Sequence, residues 1–176
     1  MNDNIPAIRN ALYPQLQNIK FSTFLFNITP EEEIILNKFV GTTIRGGFGY
    51  SFKKVVCLFK EKTNCGDCVL SRDCAYSLIF ESKLQKEQSS LKTSEIPRPY
   101  IFDTSTTYKQ RYTKEEIFSL KLTLIGKAIQ YLPYFFLSIQ KLGESGFGYR
   151  RKNFTINEVI QKYPVEKRIY SIETQI

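Results

Sequence analysis

The sequence predicts an α+β fold, a mainly antiparallel sheet with helices on one face and a cysteine-rich insert. Three observations predict it. Apolar and polar residues alternate in segments 18–28, 116–125 and 153–160, the two-residue period of half-buried strands. Segment 42–59 carries apolar residues three and four apart, and segment 126–142 is apolar and aromatic-rich, as expected of helices that bury one side. All four cysteines fall within residues 57–80, in a short polar stretch between these elements. With that stretch set aside, the order is β-α-β-β-α-β, the split arrangement called ferredoxin-like, and RNA-recognition modules are built the same way.

In the first strand, Phe24, Phe26 and Ile28 alternate with Leu25 and Asn27. Thr29-Pro30-Glu31-Glu32 then predicts the start of a short helix: a capping threonine, proline at the first helical position and acids at the positive dipole end. Ile34, Ile35, Leu36 and Phe39 would fill it, and Gly41 would stop it. A second helix follows to about Phe59, with Ile44, Phe48, Phe52, Val55, Val56 and Phe59 as its buried stripe. Gly46, Gly47 and Gly49 lie in its first turns. Each costs ~1 kcal/mol against alanine, a cost that marks close approach to another element or to a ligand.

Segment 81–96 is polar and predicts a flexible stretch. The run Pro97-Arg98-Pro99-Tyr100-Ile101-Phe102 predicts an extended edge, because proline cannot donate to a central ladder. Ile117, Leu120, Leu122 and Leu124 mark the next strand. The helix over 126–142 holds Pro133 in its first two turns and closes at Leu142-Gly143. Strands at 153–160 and about 167–173 complete the chain, and 176 residues suit one domain spanning 1–176.

The charge balance is 25 Lys and Arg against 17 Asp and Glu, net +8, with no histidine. The missing imidazole excludes a Ser-His-Asp or Cys-His nucleophile and any His-ligated metal. No run reaches the ~20 apolar residues of a membrane span, and Met1-Asn2-Asp3-Asn4 lacks the basic start of a secretory signal. A cytoplasmic protein with reduced cysteines and no membrane partner is therefore expected. The surplus charge points to a polyanion, with nucleic acid ahead of anionic membrane; the bland alternative is a lysine-rich solvated surface.

Cys57, Cys65, Cys68 and Cys74 stand as C-x7-C-x2-C-x5-C. The Cys65-Gly66-Asp67-Cys68 turn has the form that presents two thiolates to one metal. Zinc held by four thiolates suits so short an insert. A four-iron cluster also takes four cysteines, and unliganded cysteines are the plain alternative. Either metal would be structural, since four thiolates leave no open position.

One tetrapeptide occurs twice. Gly46-Gly47-Phe48-Gly49-Tyr50 follows Arg45 and precedes Lys53 and Lys54; Gly146-Phe147-Gly148-Tyr149 precedes Arg150, Arg151 and Lys152. Each places glycine-exposed backbone beside an aromatic ring and cations. Backbone N–H groups meet phosphate oxygens, arginine forks onto them, and tyrosine stacks on a base. Arg45, Gly47, Gly49, Lys53, Lys54, Gly146, Gly148, Tyr149, Arg150, Arg151 and Lys152 are thus the candidate RNA-binding residues. The competing reading makes them turn glycines beside core phenylalanines.

Taken in order, G-T-T-I-R-G-G-F-G-Y-S-F-K-K-V-V-C, C-x-x-C-V-L-x-x-x-C-A-Y-S-x-I-F-E, P-R-P-Y-I-F, L-T-L-I-G-K-A and L-G-E-S-G-F-G-Y-R-R-K-N-F resemble the CRISPR-associated endoribonucleases that process precursor crRNA. These belong to the repeat-associated mysterious protein (RAMP) superfamily. The similarity runs from about Ile19 to Val159. It implies ferredoxin-like domains that grip CRISPR repeat RNA, other CRISPR effector proteins as partners, and metal-independent cleavage. In that reaction the 2′-hydroxyl attacks the adjacent phosphate and leaves a 2′,3′-cyclic phosphate. Such enzymes usually carry a second ferredoxin-like domain, so the chain is expected to match their N-terminal half. Many use a histidine, absent here. Such cleavage needs cations at the phosphate and groups that carry the protons, and the helix after the first strand offers Arg45 and Lys53 for charge stabilisation and Tyr50 or Lys54 for proton transfer. A non-catalytic RNA-binding or scaffolding subunit is the alternative, and a small four-cysteine zinc protein acting on DNA is a third.

Overall fold

The computed structural model describes residues 18–37, 40–59, 65–81, 97–104 and 109–173. The polar stretch expected to be flexible lies, from residue 82 to 96, outside the described residues.

Strand β1 (Phe21–Pro30) buries every second side chain, Phe24, Phe26 and Ile28 among them. It forms the centre of a five-stranded antiparallel sheet with β3 (Tyr100–Asp103), β5 (Phe118–Ile125), β6 (Phe154–Tyr163) and β7 (Lys167–Ser171). The spatial order is β3-β5-β1-β6-β7. Phe24 pairs with Leu122 on one side and Gln161 on the other. Without β7, this is the expected β-α-β-β-α-β order, with the first strand between the third and the fourth.

Helix α1 (Val40–Val56) follows β1 in sequence, and helix α3 (Leu132–Ser145) follows β5 through a 3-10 turn at Gly126–Tyr131. Both pack on one face of the sheet. Phe48 and Phe52 of α1 are fully buried and meet Phe135 of α3 at 5.2 Å each. Phe80, from the short helix α2 (Ala75–Phe80), and Tyr100 and Phe102 of β3 close the cluster. Burying a phenylalanine is worth about 2–3 kcal/mol, so these rings carry much of the core. The phenylalanines of both repeated tetrapeptides are core residues, Phe147 being 3% exposed.

The short helix expected after β1 does not form. β1 instead runs on to Pro30, and Ile34–Ile35 makes a small strand β2 paired with β4 (Arg111–Tyr112). Two forces override the helix-start pattern. Ile34 and Leu36 alternate into the core. The acids that would have complemented a helix dipole instead find cations from distant segments, Glu33 with Arg111 at 2.9 Å and Glu32 with Lys152. Gly41, expected to end that helix, lies inside α1.

The open face of the sheet is polar and self-bonded. Asn27 donates to Glu158 at 2.7 Å and accepts from Ser119 at 2.7 Å. Asn157 donates to Thr29, Thr23 bonds Thr123, and Lys121 pairs with Asp103. No aromatic side chain joins this cross-strand network. At one end of this face, outside the network, Phe21 of β1 stacks on Tyr163 of β6, ring centres 4.4 Å apart and 8° from parallel, both rings exposed.

Candidate nucleic-acid interface

The two tetrapeptides, a hundred residues apart, meet at one cleft of about 240 Å³. From α1 come Thr43, Gly47, Tyr50 and Ser51; from the end of α3 and the turn after it come Leu142, Ser145, Gly146, Phe147, Gly148 and Arg151. The α1 residues stand at i, i+4, i+7 and i+8, one helix face. Among the described residues, no carboxylate lines the cleft. Hydroxyls and the Arg151 guanidinium, set beside the apolar Leu142 and Phe147, give an anion its donors here, the Gly146 N–H being already bonded to the Gly143 carbonyl.

Two close approaches shape it. A Cβ on Gly47 would lie 2.7 Å from the Leu142 side chain, and one on Gly143 would lie 2.4 Å from the Phe154 carbonyl oxygen. Of the three helix glycines that looked costly, Gly47 thus lets α1 and α3 draw together, as Gly143 does for α3 and β6, while Gly46 faces open space.

The second tetrapeptide forms a tight turn. Phe147 and Lys152 exchange backbone hydrogen bonds at 2.8 and 3.0 Å, and Tyr149 N–H donates to the Ile35 carbonyl at 2.9 Å. Gly146 and Gly148 take φ of 84° and 74°. Side chains there would meet the Arg151 and Ile35 carbonyls. Arg150 and Arg151 also adopt positive φ, 60° and 48°, a conformation costing an ordinary residue about 1–2 kcal/mol.

Tyr50 and Tyr149 are both more than half exposed, and each carries a cation on its ring, Lys54 at 4.4 Å and Arg150 at 5.4 Å. Lys54, Tyr50, Gly47, Gly146, Gly148, Tyr149, Arg150 and Arg151 therefore gather at or beside the cleft. Lys152 is engaged by Glu32. The other expected residues lie elsewhere. Gly49 faces Phe80, at 3.4 Å from where its Cβ would stand. Lys53 lies over the Tyr76 ring at 5.3 Å, beside the cysteine segment. Arg45 lies close enough to Tyr100 of β3 for its charge to lower the pKa of that phenol. Arg45, Tyr50 and Lys53, expected to serve one phosphate, thus occupy three different surroundings. Thr43, Ser51 and Ser145 escaped the sequence reading. For Thr43 and Ser51 the signal was the i, i+4, i+8 row they make with Gly47 beside the apolar stripe of α1; Ser145, on α3, had none.

The cysteines sit where α1 ends and α2 begins. Cys57 N–H donates to the Lys53 carbonyl at 2.9 Å, and Cys74 caps α2. Cys68 N–H donates to the Cys65 carbonyl at 3.2 Å, closing the expected turn. All four are free thiols and half-buried. Burial pushes the Cys65 thiol above its ordinary range; Lys53 opposes this, while Glu81, Cys57 and Cys74 add to it. Among the described residues, no three Cys, Asp or Glu side chains converge closely enough to hold a metal ion. No helix among them is long and apolar enough to cross a membrane.

Residues 19–176 match the model of the family described as AF_1859_N, N-terminal domain. The chain belongs to that family. Both tetrapeptides, all four cysteines and every strand of the sheet lie within the AF_1859_N match. The chain is also similar to an uncharacterised protein of Archaeoglobus fulgidus, at 29% identity over 111 residues. That alignment covers 63% of this chain, which spans 36% of the relative's length. Among solved structures it is similar to a chain in the crystal structure of the Csm3-Csm4 subcomplex of the type III-A CRISPR-Cas interference complex. The identity is 14% and the TM-score 0.47, over 80% of this chain and 78% of the other.

Proposed function

We propose that this chain is a CRISPR-associated RNA-binding domain that grips single-stranded CRISPR repeat RNA at the cleft between α1 and the turn after α3. The observation that carries the reading is the meeting of the two Gly-Phe-Gly-Tyr segments on one acid-free cleft. Arg151 and the hydroxyls of Thr43 and Ser145 would take backbone phosphates and sugars, which position a strand, while Ser51, 1% exposed, only floors the cleft. Tyr50 and Tyr149 would stack on unpaired bases, each stack worth ~1–3 kcal/mol. The sheet's open face, whose polar centre is self-bonded and whose exposed Phe21–Tyr163 stack lies at its end, is left out of this interface.

Cleavage by 2′-hydroxyl attack asks for a proton acceptor, a proton donor and cations around one phosphate. Tyr50 and Lys54 share the cleft side, whereas Arg45 and Lys53 stand apart from it. Binding is therefore the activity proposed for this chain, as a subunit or domain working with other CRISPR effector proteins. Filter binding and gel cleavage on one repeat RNA test it together. Binding without product is the expected result, with loss of about tenfold or more in affinity for Arg151→Ala combined with Tyr149→Ala. Equal affinity of the double variant and the parent would overturn it.

Cys57, Cys65, Cys68 and Cys74 are proposed to hold one structural zinc, the donor chemistry and the Cys65–Cys68 turn being its support. Metal analysis of purified protein should give about one zinc per chain, lost in Cys65→Ser. Iron with a visible charge-transfer band would assign a cluster instead, and no metal would remove the site.

A further inference from the structure

At the end of the sheet remote from the cleft, β1 and β6 bring two rings together on the open face. Side chains of β1 alternate, Phe24 and Phe26 facing the helices and Phe21, Thr23 and Leu25 facing away. Tyr163 pairs with Thr23 across the β1–β6 ladder. Its ring lies parallel to that of Phe21, 4.4 Å between centres and 8° between planes. Rings on neighbouring strands stand out from a sheet and meet face to face, so each covers one side of the other and leaves its second side free of the pair. Phe21 is 40% and Tyr163 47% exposed; the stack stands in solvent. Ile125, opposite Phe21, and the exposed Ile101, opposite Thr123, extend it with an apolar border.

The surroundings are cationic. Lys20 precedes Phe21, and Lys127 follows Gly126, whose N–H donates to the Lys20 carbonyl at 2.7 Å. Lys167 pairs with Gln161, two residues before Tyr163. All three lysines are exposed, and among the described residues none has a carboxylate within ion-pair distance. Glu166, the acid nearest Tyr163 in sequence, is engaged by Lys162 at 2.7 Å. A flat group laid on either outer ring face takes apolar surface from water and lengthens the column. An aromatic side chain of a protein would do that much and leave the ammonium groups without a counter-charge. A nucleobase does it and brings phosphates to them.

We propose that the Phe21–Tyr163 stack is a second base-stacking site for single-stranded RNA, separate from the cleft. One unpaired base extends the two-ring column, and Lys20, Lys127 and Lys167 attract the phosphates beside it. The site rests on the reading of the chain as an RNA binder, but it uses none of the cleft's residues. Pro30, at the far end of β1, pairs with Phe154, against which Gly143 of α3 packs beside the cleft. The length of β1, about 30 Å at ~3.3 Å per residue, thus lies between the two sites. They would hold different stretches of one strand.

The test has two arms. Ultraviolet crosslinks of a single-stranded uridine oligonucleotide are mapped by mass spectrometry on the parent and on the cleft double variant, Arg151→Ala with Tyr149→Ala. RNA affinity and melting temperature are measured for Phe21→Leu, Tyr163→Leu and Tyr163→Phe. Crosslinks at Phe21 or Tyr163 are expected in both mapped proteins. Each leucine variant should lose about fivefold or more in affinity, and Tyr163→Phe, which restores the ring, should recover most of that loss. Crosslinks confined to the cleft segments would overturn the stack as a base site. So would leucine variants that melt lower yet bind as the parent does, since the pair would then only brace the sheet. A parent that self-associates through this face, is monomeric as Phe21→Leu and shows no ring crosslink would assign the face to a second copy and overturn the site as well. The map is read on protein with both rings intact, so it decides even where a leucine variant fails to fold. Ring crosslinks in a double variant that binds as tightly as the parent would overturn the cleft alone and uphold the stack.

Discussion

At the scale of single residues, the strained pair Arg150 and Arg151 is the clearest trace of selection for something other than stability. Glycine would occupy φ of 60° and 48° without penalty, yet two arginines stand there, exposed and beside the cleft. Replacing Arg151 with glycine should stabilise the fold by ~0.5–1 kcal/mol and raise the melting temperature by about 1–4 °C. RNA affinity should fall in the same variant. A melting temperature that drops would mean that the side chain braces the turn. Glu116 supplies a second residue-level case. Its carboxylate accepts from Lys109 at 2.5 Å and from Thr113 N–H at 3.0 Å, which holds it below the usual range. With the folded pKa below the unfolded one, the stabilisation is complete above about pH 4.3 and is lost as pH falls through the folded value. Acid unfolding of Glu116→Gln should therefore show a shallower loss of melting temperature between about pH 5 and pH 3 than the parent.

Among elements, the α1–α3–β6 contact sets the width of the cleft. Gly143→Ala would drive a methyl group against the Phe154 carbonyl and should cost about 1–3 kcal/mol, measured by denaturant unfolding. Gly46→Ala, facing open space within the same helix layer, should instead gain up to about 1 kcal/mol. Equal effects at the two positions would contradict the close approach. The contrast also marks what the sequence could tell. Strands β1, β5 and β6 were legible because Phe24, Leu122 and Ile156 repeat with period two against a single buried face. Helix α1 was legible from Ile44, Phe48 and Phe52. The segment after β1 was not: Thr29-Pro30-Glu31-Glu32 has the form of a helix start, and only Arg111 and Lys152, arriving from far along the chain, claim its acids. The site was half legible for the same reason. Composition pointed to both tetrapeptides, but which of Arg45, Lys53 and Lys54 turns toward the cleft depends on the rotation of α1 against its neighbours.

Across the whole molecule, the net charge of +8 is unevenly used. Among the described residues, eight cations, Lys109, Arg111, Lys121 and Lys152 among them, are occupied by carboxylates, while those at the cleft face the solvent with tyrosine. RNA affinity should therefore fall steeply with salt, with a slope set by the few phosphates engaged. Arg151→Ala and Lys54→Ala should each reduce that slope by about one, whereas Lys141→Ala, whose charge already meets Glu144 at 2.8 Å, should leave it unchanged. Fluorescence titrations across a range of salt concentrations would decide this, and identical slopes in all three variants would place the interface elsewhere.

The sheet order has a temporal consequence. β1 is the central strand, but its partners are β5, about a hundred residues downstream, and β6, about a hundred and thirty. Long-range pairing of this kind is slow to form, because the loop it closes must lose its freedom first. During synthesis β1 would wait on the ribosome with Phe24 and Phe26 uncovered until most of the chain had emerged. The second Gly-Phe-Gly-Tyr turn lies between β5 and β6, so the cleft is completed only as the sheet is. A nascent fragment ending before β6 would therefore hold no grip on RNA.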